Sequence, residues 1–181
     1  MNSAEIRELV VKALLGKTVA GNKVYSPRDW PTRVDTFPVI LVSAPLEKKS
    51  SLGRNAPQFN TVTTVVVDGR VVAYDKEDGT AGDAQSLAAA ETLKIQIEKA
   101  IINNPDLQKN IQQFVSVDSQ TGLDADGEGH VGQVIMHFHI EYWQGPEDFY
   151  PIEADPLKQI VVEQKQPDGT HRTGLIIELD Q

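Results

Sequence analysis

The chain has no cysteine, so disulfides, thiolate nucleophiles and cysteine-ligated metals are all excluded. That composition suits a cytosolic product. No apolar stretch approaches the roughly 20 residues a membrane-spanning helix needs. The opening residues, MNSAEIRELVVKALLG, lack the basic start and unbroken apolar run of a signal peptide. Positive charge is also short. There are 17 Lys and Arg against 26 Asp and Glu, a net charge of -9 and a pI near 4.9. A protein that grips nucleic-acid phosphates usually carries a basic face, because neutralising phosphates supplies much of its affinity. The balance argues against direct nucleic-acid recognition, and it would keep a free subunit soluble.

Catalytic signatures are missing as well. There is no G-x-x-x-x-G-K-[ST] and no G-x-G-x-x-G after a strand, and Gly127-x-Gly129 alone is too short to cradle phosphate. Ser26, Ser43 and Ser50 lack the G-x-S-x-G elbow that presents a nucleophile. The expectation is a protein that is not an enzyme and carries no cofactor and no metal.

What is present reads as one domain with an appendage. A chain of 181 residues can bury on the order of 70% of the surface its unfolded form exposes. Residues 4–15 predict an amphipathic helix, with Ser3 as N-cap and Gly16 at the left-handed position after its end. Ile6, Leu9, Val10, Ala13 and Leu14 share one face at helical spacing. Residues 17–36 read as irregular, and Pro38 to Val42 as a short buried strand. Residues 44–58, APLEKKSSLGRNAPQ, read as a polar loop that is locally basic through Lys48, Lys49 and Arg54.

Phe59 to Tyr74 is β-rich, and its Asp68-Gly69 pair is a turn signal. One long strand bulged near Gly69 is preferred to a hairpin there, which would leave a return strand of only about five residues. Asp83 is placed as the cap of a second helix, about 84–103, with Leu87, Ala90, Leu93, Ile97, Ala100 and Ile101 as its stripe. Asn103-Asn104-Pro105 ends it. Ile111 to Ser119 reads as a strand and 120–130 as an acidic, glycine-rich connection. Val131 to Trp143 is the clearest strand. Val134, Met136, Phe138, Ile140 and Tyr142 alternate on one face, and Ile135, His137, His139, Glu141 and Trp143 on the other. Residues 160–181 hold two β-prone runs around Pro167-Asp168-Gly169, a hairpin joined through 152–159. The predicted fold is α+β: a mixed, mainly antiparallel sheet with two helices on one face, residues 1–151, plus a C-terminal hairpin extension, 152–181.

Two constellations have metal-ligand chemistry. His137-x-His139-x-Glu141 places two imidazoles and a carboxylate on one side of a strand, the donor set of an iron or zinc site. The plainer reading is the polar face of an alternating strand. Asp124-x-Asp126-x-Glu128 has the start of a calcium loop, but position twelve from Asp124 is Ile135 and not the required glutamate. The plainer reading there is a solvated connection. Trp30 and Trp143 are the only tryptophans, and such side chains serve equally as core or as interface anchors.

Several short runs carry a family resemblance. They are Val24-Tyr25-Ser26-Pro27-Arg28-Asp29-Trp30-Pro31, Phe37-Pro38-Val39-Ile40-Leu41-Val42, Ser51-Leu52-Gly53-Arg54 and Pro57-Gln58-Phe59. Later come Ile111-Gln112-Gln113-Phe114, Asp118-Ser119, the strand from Val131 to Trp143 and Asp148-Phe149-Tyr150-Pro151. Over about residues 4–151 the chain resembles tail terminator proteins of long-tailed bacteriophages, of the lambda minor tail protein U type. The resemblance implies a structural virion protein made in the host cytoplasm. It implies a homo-oligomeric ring, a hexamer, that caps the tail tube protein, stops its polymerisation and meets a head-tail connector or neck protein. On that reading the basic loop 45–58 and the 120–130 loop lie at contacts. Lys48, Lys49, Arg54, Trp30 and Trp143 are the candidate interface residues. Rival readings are another head-tail joining or tube-like structural protein, a small-ligand binding module, and a metal-dependent enzyme using His137, His139 and Glu141.

Overall fold

The computed structural model describes residues 1–26, 36–54, 57–74, 82–124, 130–149, 159–166, 169 and 171–178. The chain divides into two units, Met1–Phe149 and Tyr150–Gln181. The first is an α+β domain built on a five-stranded sheet, mainly antiparallel. The second is a two-stranded hairpin.

The first unit opens with helix α1, Ser3–Leu14. Its N-cap is Asn2 and not Ser3. The Asn2 side chain accepts from the Glu5 amide at 3.0 Å, and the Glu5 carboxylate accepts from the Asn2 amide at 3.0 Å. This reciprocal box satisfies two amides that helix geometry leaves orphaned. Gly16 follows the helix at φ +68, the conformation only glycine adopts without cost. Ile6, Val10, Ala13 and Leu14 are buried, and Leu9 packs at the edge of the same core.

Five strands follow: β1 (Val24–Tyr25), β2 (Val39–Ser51), β3 (Phe59–Ala73), β4 (Gln113–Asp124) and β5 (His130–Gln144). Their spatial order is β1-β2-β3-β5-β4. Only β1 to β2 is parallel, Val24 facing Ile40. Helix α2, Gly82–Ile102, crosses over the sheet, and a single turn α3, Pro105–Gln108, follows it.

The sequence reading needs correcting at several points. The predicted loop 44–58 is mostly strand, because β2 continues to Ser51 paired with β3. Residues 17–36 hold a two-residue strand. β3 is one long strand, but its register runs unbroken past Gly69, and the irregularity lies on β2 between Ser43 and Leu46. β4 runs through Asp124, so residues 120–124 are strand rather than connection. Helix α2 begins at Gly82, one residue before the predicted cap Asp83, and α3 adds a third helix.

Alternation along β3 and β5 sets the layers. Thr61, Thr63, Val65, Val67 and Val71 of β3 pair with Tyr142, Ile140, Phe138, Met136 and Gly132 of β5. This face is buried under α1, α2 and α3, where Ile6, Leu93, Ile97, Ile101 and Leu107 close the core. The other face has no helix on it among the described residues.

Helix α2 reaches this sheet through missing side chains. A Cβ on Gly69 would lie 2.8 Å from Leu93 Cδ2 and 3.0 Å from Val134 Cγ1. A Cβ on Gly132 would collide with the Ser86 carbonyl oxygen and meet the Ala90 Cβ at 3.1 Å. Ser86 is buried, and its hydroxyl donates to the Asp83 carbonyl at 2.9 Å. Leu87, predicted in the stripe, is only half-buried. Glycine on the strand and small residues on the helix therefore bring the two backbones together.

The hairpin pairs β6, Gln159–Lys165, with β7, His171–Glu178. Gly169 at φ +84 supports the turn, and its amide donates to the Gln166 carbonyl at 3.0 Å.

Gly132→Ala is expected to destabilise the protein by about 1–3 kcal/mol, because the helix backbone must move to admit one methyl group. Gly122→Ala, where nothing lies within 4 Å of the added Cβ, is expected to stay within about 0.5 kcal/mol of the parent. Urea unfolding midpoints of the two variants check the pair.

Candidate functional site

The open face of the sheet gathers most of the residues singled out by sequence. Cross-strand register puts Leu46 and Lys48 of β2 beside Val62 and Thr64 of β3, which face Glu141 and His139 of β5. His137 and Trp143 lie on the same face, both exposed. Leu46 is 60% exposed and Trp143 42%. Trp143 is positioned by Gly145, where any Cβ would collide with the indole ring. The face therefore mixes apolar, aromatic and charged groups on a rigid, hydrogen-bonded support.

The two histidines have different surroundings. His139 is held by both ring nitrogens: Nδ1 lies 3.0 Å from Thr64 Oγ1, and Nε2 lies 3.2 Å from an Asp118 carboxylate oxygen. Glu141 accepts a hydrogen bond from the Gln113 side chain. His137 points to solvent. Among the described residues no three His, Asp or Glu side chains converge closely enough to hold a metal ion. The strand spacing that suggested His137, His139 and Glu141 as a ligand set thus spreads them along an open surface instead of aiming them at one point. Asp126 and Glu128 of the acidic run lie outside the described residues.

The sequence grouped Lys48, Lys49 and Arg54 as one basic loop, and the strand separates them. Successive residues of β2 point to opposite faces. Lys48 goes to the open face and is exposed. Arg54 sits in the turn after β2 and is also exposed. Neither makes an ion pair among the described residues. Lys49 goes to the buried side, where its ammonium pairs with Glu47, hydrogen-bonds to Gln144 and lies 5.7 Å from the centre of the Phe149 ring. Trp30 lies outside the described residues.

Lys49 belongs to a polar clamp that sequence reasoning missed. The Tyr142 hydroxyl donates to Glu47 at 2.9 Å. The Thr61 hydroxyl donates to the Gln144 side-chain Oε1 at 2.8 Å, and the Gln144 side-chain Nε2 donates to the Met1 backbone carbonyl at 2.6 Å. The α-amino group of Met1 pairs with Asp148. Phe149 closes the cluster edge-to-face on Phe59, centroids 5.5 Å apart. The chain start, the β2–β3 hairpin and the end of β5 meet here. Burial raises the Glu47 pKa, but the Lys49 and Tyr142 hydrogen bonds and the Lys49 charge outweigh it, and the net shift is downward. The bond from the Met1 amine holds Asp148 low. Burial and the Glu47 carboxylate push the Tyr142 phenol well above its ordinary value. The only signal for this clamp was parity: Glu47, Lys49, Tyr142 and Gln144 all sit on core-facing positions of long strands.

No family model matches the chain, and no curated protein matches it.

The lowered carboxylate pKa values set a pH dependence. In the folded state Glu47 and Asp148 stay ionised where the unfolded chain takes up protons. Their contribution is present above the ordinary carboxylate range and is lost as pH falls through it towards the lowered folded values. Glu47→Gln is expected to flatten the fall of the thermal unfolding midpoint below pH 4.5, the ordinary glutamate value. Tyr142→Phe is expected to cost about 1.5 kcal/mol at neutral pH, because a hydrogen bond to a charged group is lost. A midpoint-against-pH series for the parent and both variants is the check. An unchanged acid limb in Glu47→Gln would count against the clamp.

Proposed function

We propose that this chain is a structural subunit of a bacteriophage tail, the terminator that caps the tail tube. Its subunits close into a ring on the last tube ring, stop tube growth and offer the other side to the head-tail connector. The observation that carries the reading is the tail-terminator resemblance across about residues 4–151. Its described parts fall within one α+β unit, Met1–Phe149.

Three features of that unit support the reading. The resembling run from Val39 to Val42 starts the strand that leads to Lys48 and Arg54. The resembling run from Val131 to Trp143 supplies the open face, and Asp148 and Phe149 close the polar clamp. A ring subunit works through surfaces, by contacts that differ on its two sides and close by rotation. One rigid sheet face bearing Leu46, Lys48, His137 and Trp143 suits that task. Rim charges at such contacts mostly tune encounter and specificity. Among the described residues Lys48 and Arg54 are exposed and make no ion pair, whereas Lys49 is committed to the clamp.

The test is electron microscopy of the purified protein mixed with tail tubes. Rings on tube ends are expected, with tube length no longer increasing. Lys48→Glu combined with Arg54→Glu is expected to lower tube capping at least tenfold while leaving the unfolding midpoint unchanged. Capping at parental levels in that variant would remove Lys48 and Arg54 from the interface. Tubes that never bind the parent protein would overturn the function itself.

A further inference from the structure

The open face carries two opposite charges that the chain keeps apart. Lys48 of β2, Val62 of β3, Glu141 of β5 and Gln113 of β4 form one row across the sheet. Lys48 is exposed and makes no ion pair among the described residues. Glu141 accepts a hydrogen bond from the Gln113 side chain, and no cation pairs with it among the described residues. Two strand spacings, about 10 Å, separate the backbones of Lys48 and Glu141, and Val62 stands between them. Two residues along the strands, Leu46, Thr64 and His139 form the next row of this face. Two residues the other way lie Ser50, Asn60 and Trp143.

This pattern is complementary to itself. A second copy, turned about an axis that lies between two facing sheets and runs along β3, exchanges the β2 side for the β5 side. Lys48 of each copy then faces Glu141 of the other, and the two Val62 side chains meet at the centre. Leu46 lies over His139, and Trp143 lies over the small side chain of Ser50. Strand directions stay aligned, as in sheets that pack face to face about 10 Å apart. An axis at right angles to the strands would instead set Lys48 against Lys48 and Glu141 against Glu141. Each copy carries a net charge of -9, so undirected approach is repulsive. An orientation that matches opposite charges is the one that gains.

We infer that the open face pairs with the open face of a second copy, in a two-fold dimer held by reciprocal Lys48–Glu141 ion pairs around Val62. A contact of this kind uses the same patch on both partners and stops at two copies. Solvated ion pairs contribute little each. The dimer therefore forms at high concentration and separates on dilution. Under the proposed tail role it covers the face meant for the tube, and a tube end displaces the second copy. That consequence rests on the tail reading, whereas the pairing itself does not.

Sedimentation of the full chain without tubes, over a range of concentrations, tests the pairing. The parent is expected to approach twice the monomer mass as concentration rises. Lys48→Glu sets carboxylate against carboxylate at both facing positions, and Glu141→Lys sets ammonium against ammonium. Each substitution alone is expected to weaken association at least tenfold, with the thermal unfolding midpoint unchanged. Mixing the two variants is expected to restore a dimer with one chain of each kind, because every facing pair is again opposite in sign. Both substitutions in one chain are expected to restore it as well. A parent that stays monomeric at high concentration overturns the inference. So do single variants that associate like the parent, a mixture that stays monomeric, or a parent that grows beyond the dimer. A parent that dimerises in this way but never caps tubes keeps the pairing and loses the proposed function.

Discussion

The close seating of helix α2 on β3 and β5 is the constraint from which the rest of the domain follows. At Gly69 and Gly132 the strands have no side chain to hold the helix away. Small residues on the helix, Ser86 and Ala90, complete the approach. Leu93, Ile97 and Ile101 can then reach Met136, Phe138 and Ile140 as one core. Interiors are packed at crystal-like density, so an approach this tight admits few alternatives in register or angle. The helices take one face of the sheet, and the other is left rigid and open.

A second fixture sits at the end of the sheet near Met1 and Phe149. There the clamp of Glu47, Lys49, Tyr142 and Gln144 ties the β2–β3 hairpin to the chain start and to the end of β5. Its charges are mutually paired, Lys49 with Glu47 and the Met1 amine with Asp148, around the buried side chains of Thr61, Tyr142 and Gln144. The helical layer and the clamp together hold the strands while contributing nothing to the open face. Stability and surface are thus assigned to opposite sides of one sheet. In the proposed role as a ring subunit, that separation lets the contact side vary without loss of the fold.

Much of this was legible in the sequence where burial is one-sided and regular. The alternation placed Val134 to Trp143 of β5 on their correct faces, because a strand with one wet and one dry face writes that difference into its composition. Gly16 ended α1 as its conformation demands. The predicted hairpin around Gly169 formed. The failures have common causes. β3 is the single long strand expected, but the bulge expected near Gly69 lies on β2 instead, because the glycine serves a helix that sequence cannot show to be overhead. Residues 44–51 look like a loop because a border strand needs few apolar residues, its pairing supplied by β3. Once that stretch was read as loop, the opposite facing of Lys48 and Lys49 was invisible, and three cations were grouped that the strand divides. Asn2 displaced Ser3 as cap since either side chain can accept the same amide bond, and propensity alone does not choose between neighbours.

The open face of the sheet is the proposed working side of the molecule, with the helical layer as its support. Thiol labelling tests this most directly, using two single-cysteine variants of a chain that has no other cysteine. His137→Cys reports from the exposed strand position on the open face, and Ile95→Cys from a position on α2 that is 49% exposed. With tail tubes present, labelling at 137 is predicted to slow at least tenfold while labelling at 95 proceeds as in the free protein. Protection at 95 with an unchanged rate at 137 would contradict the account.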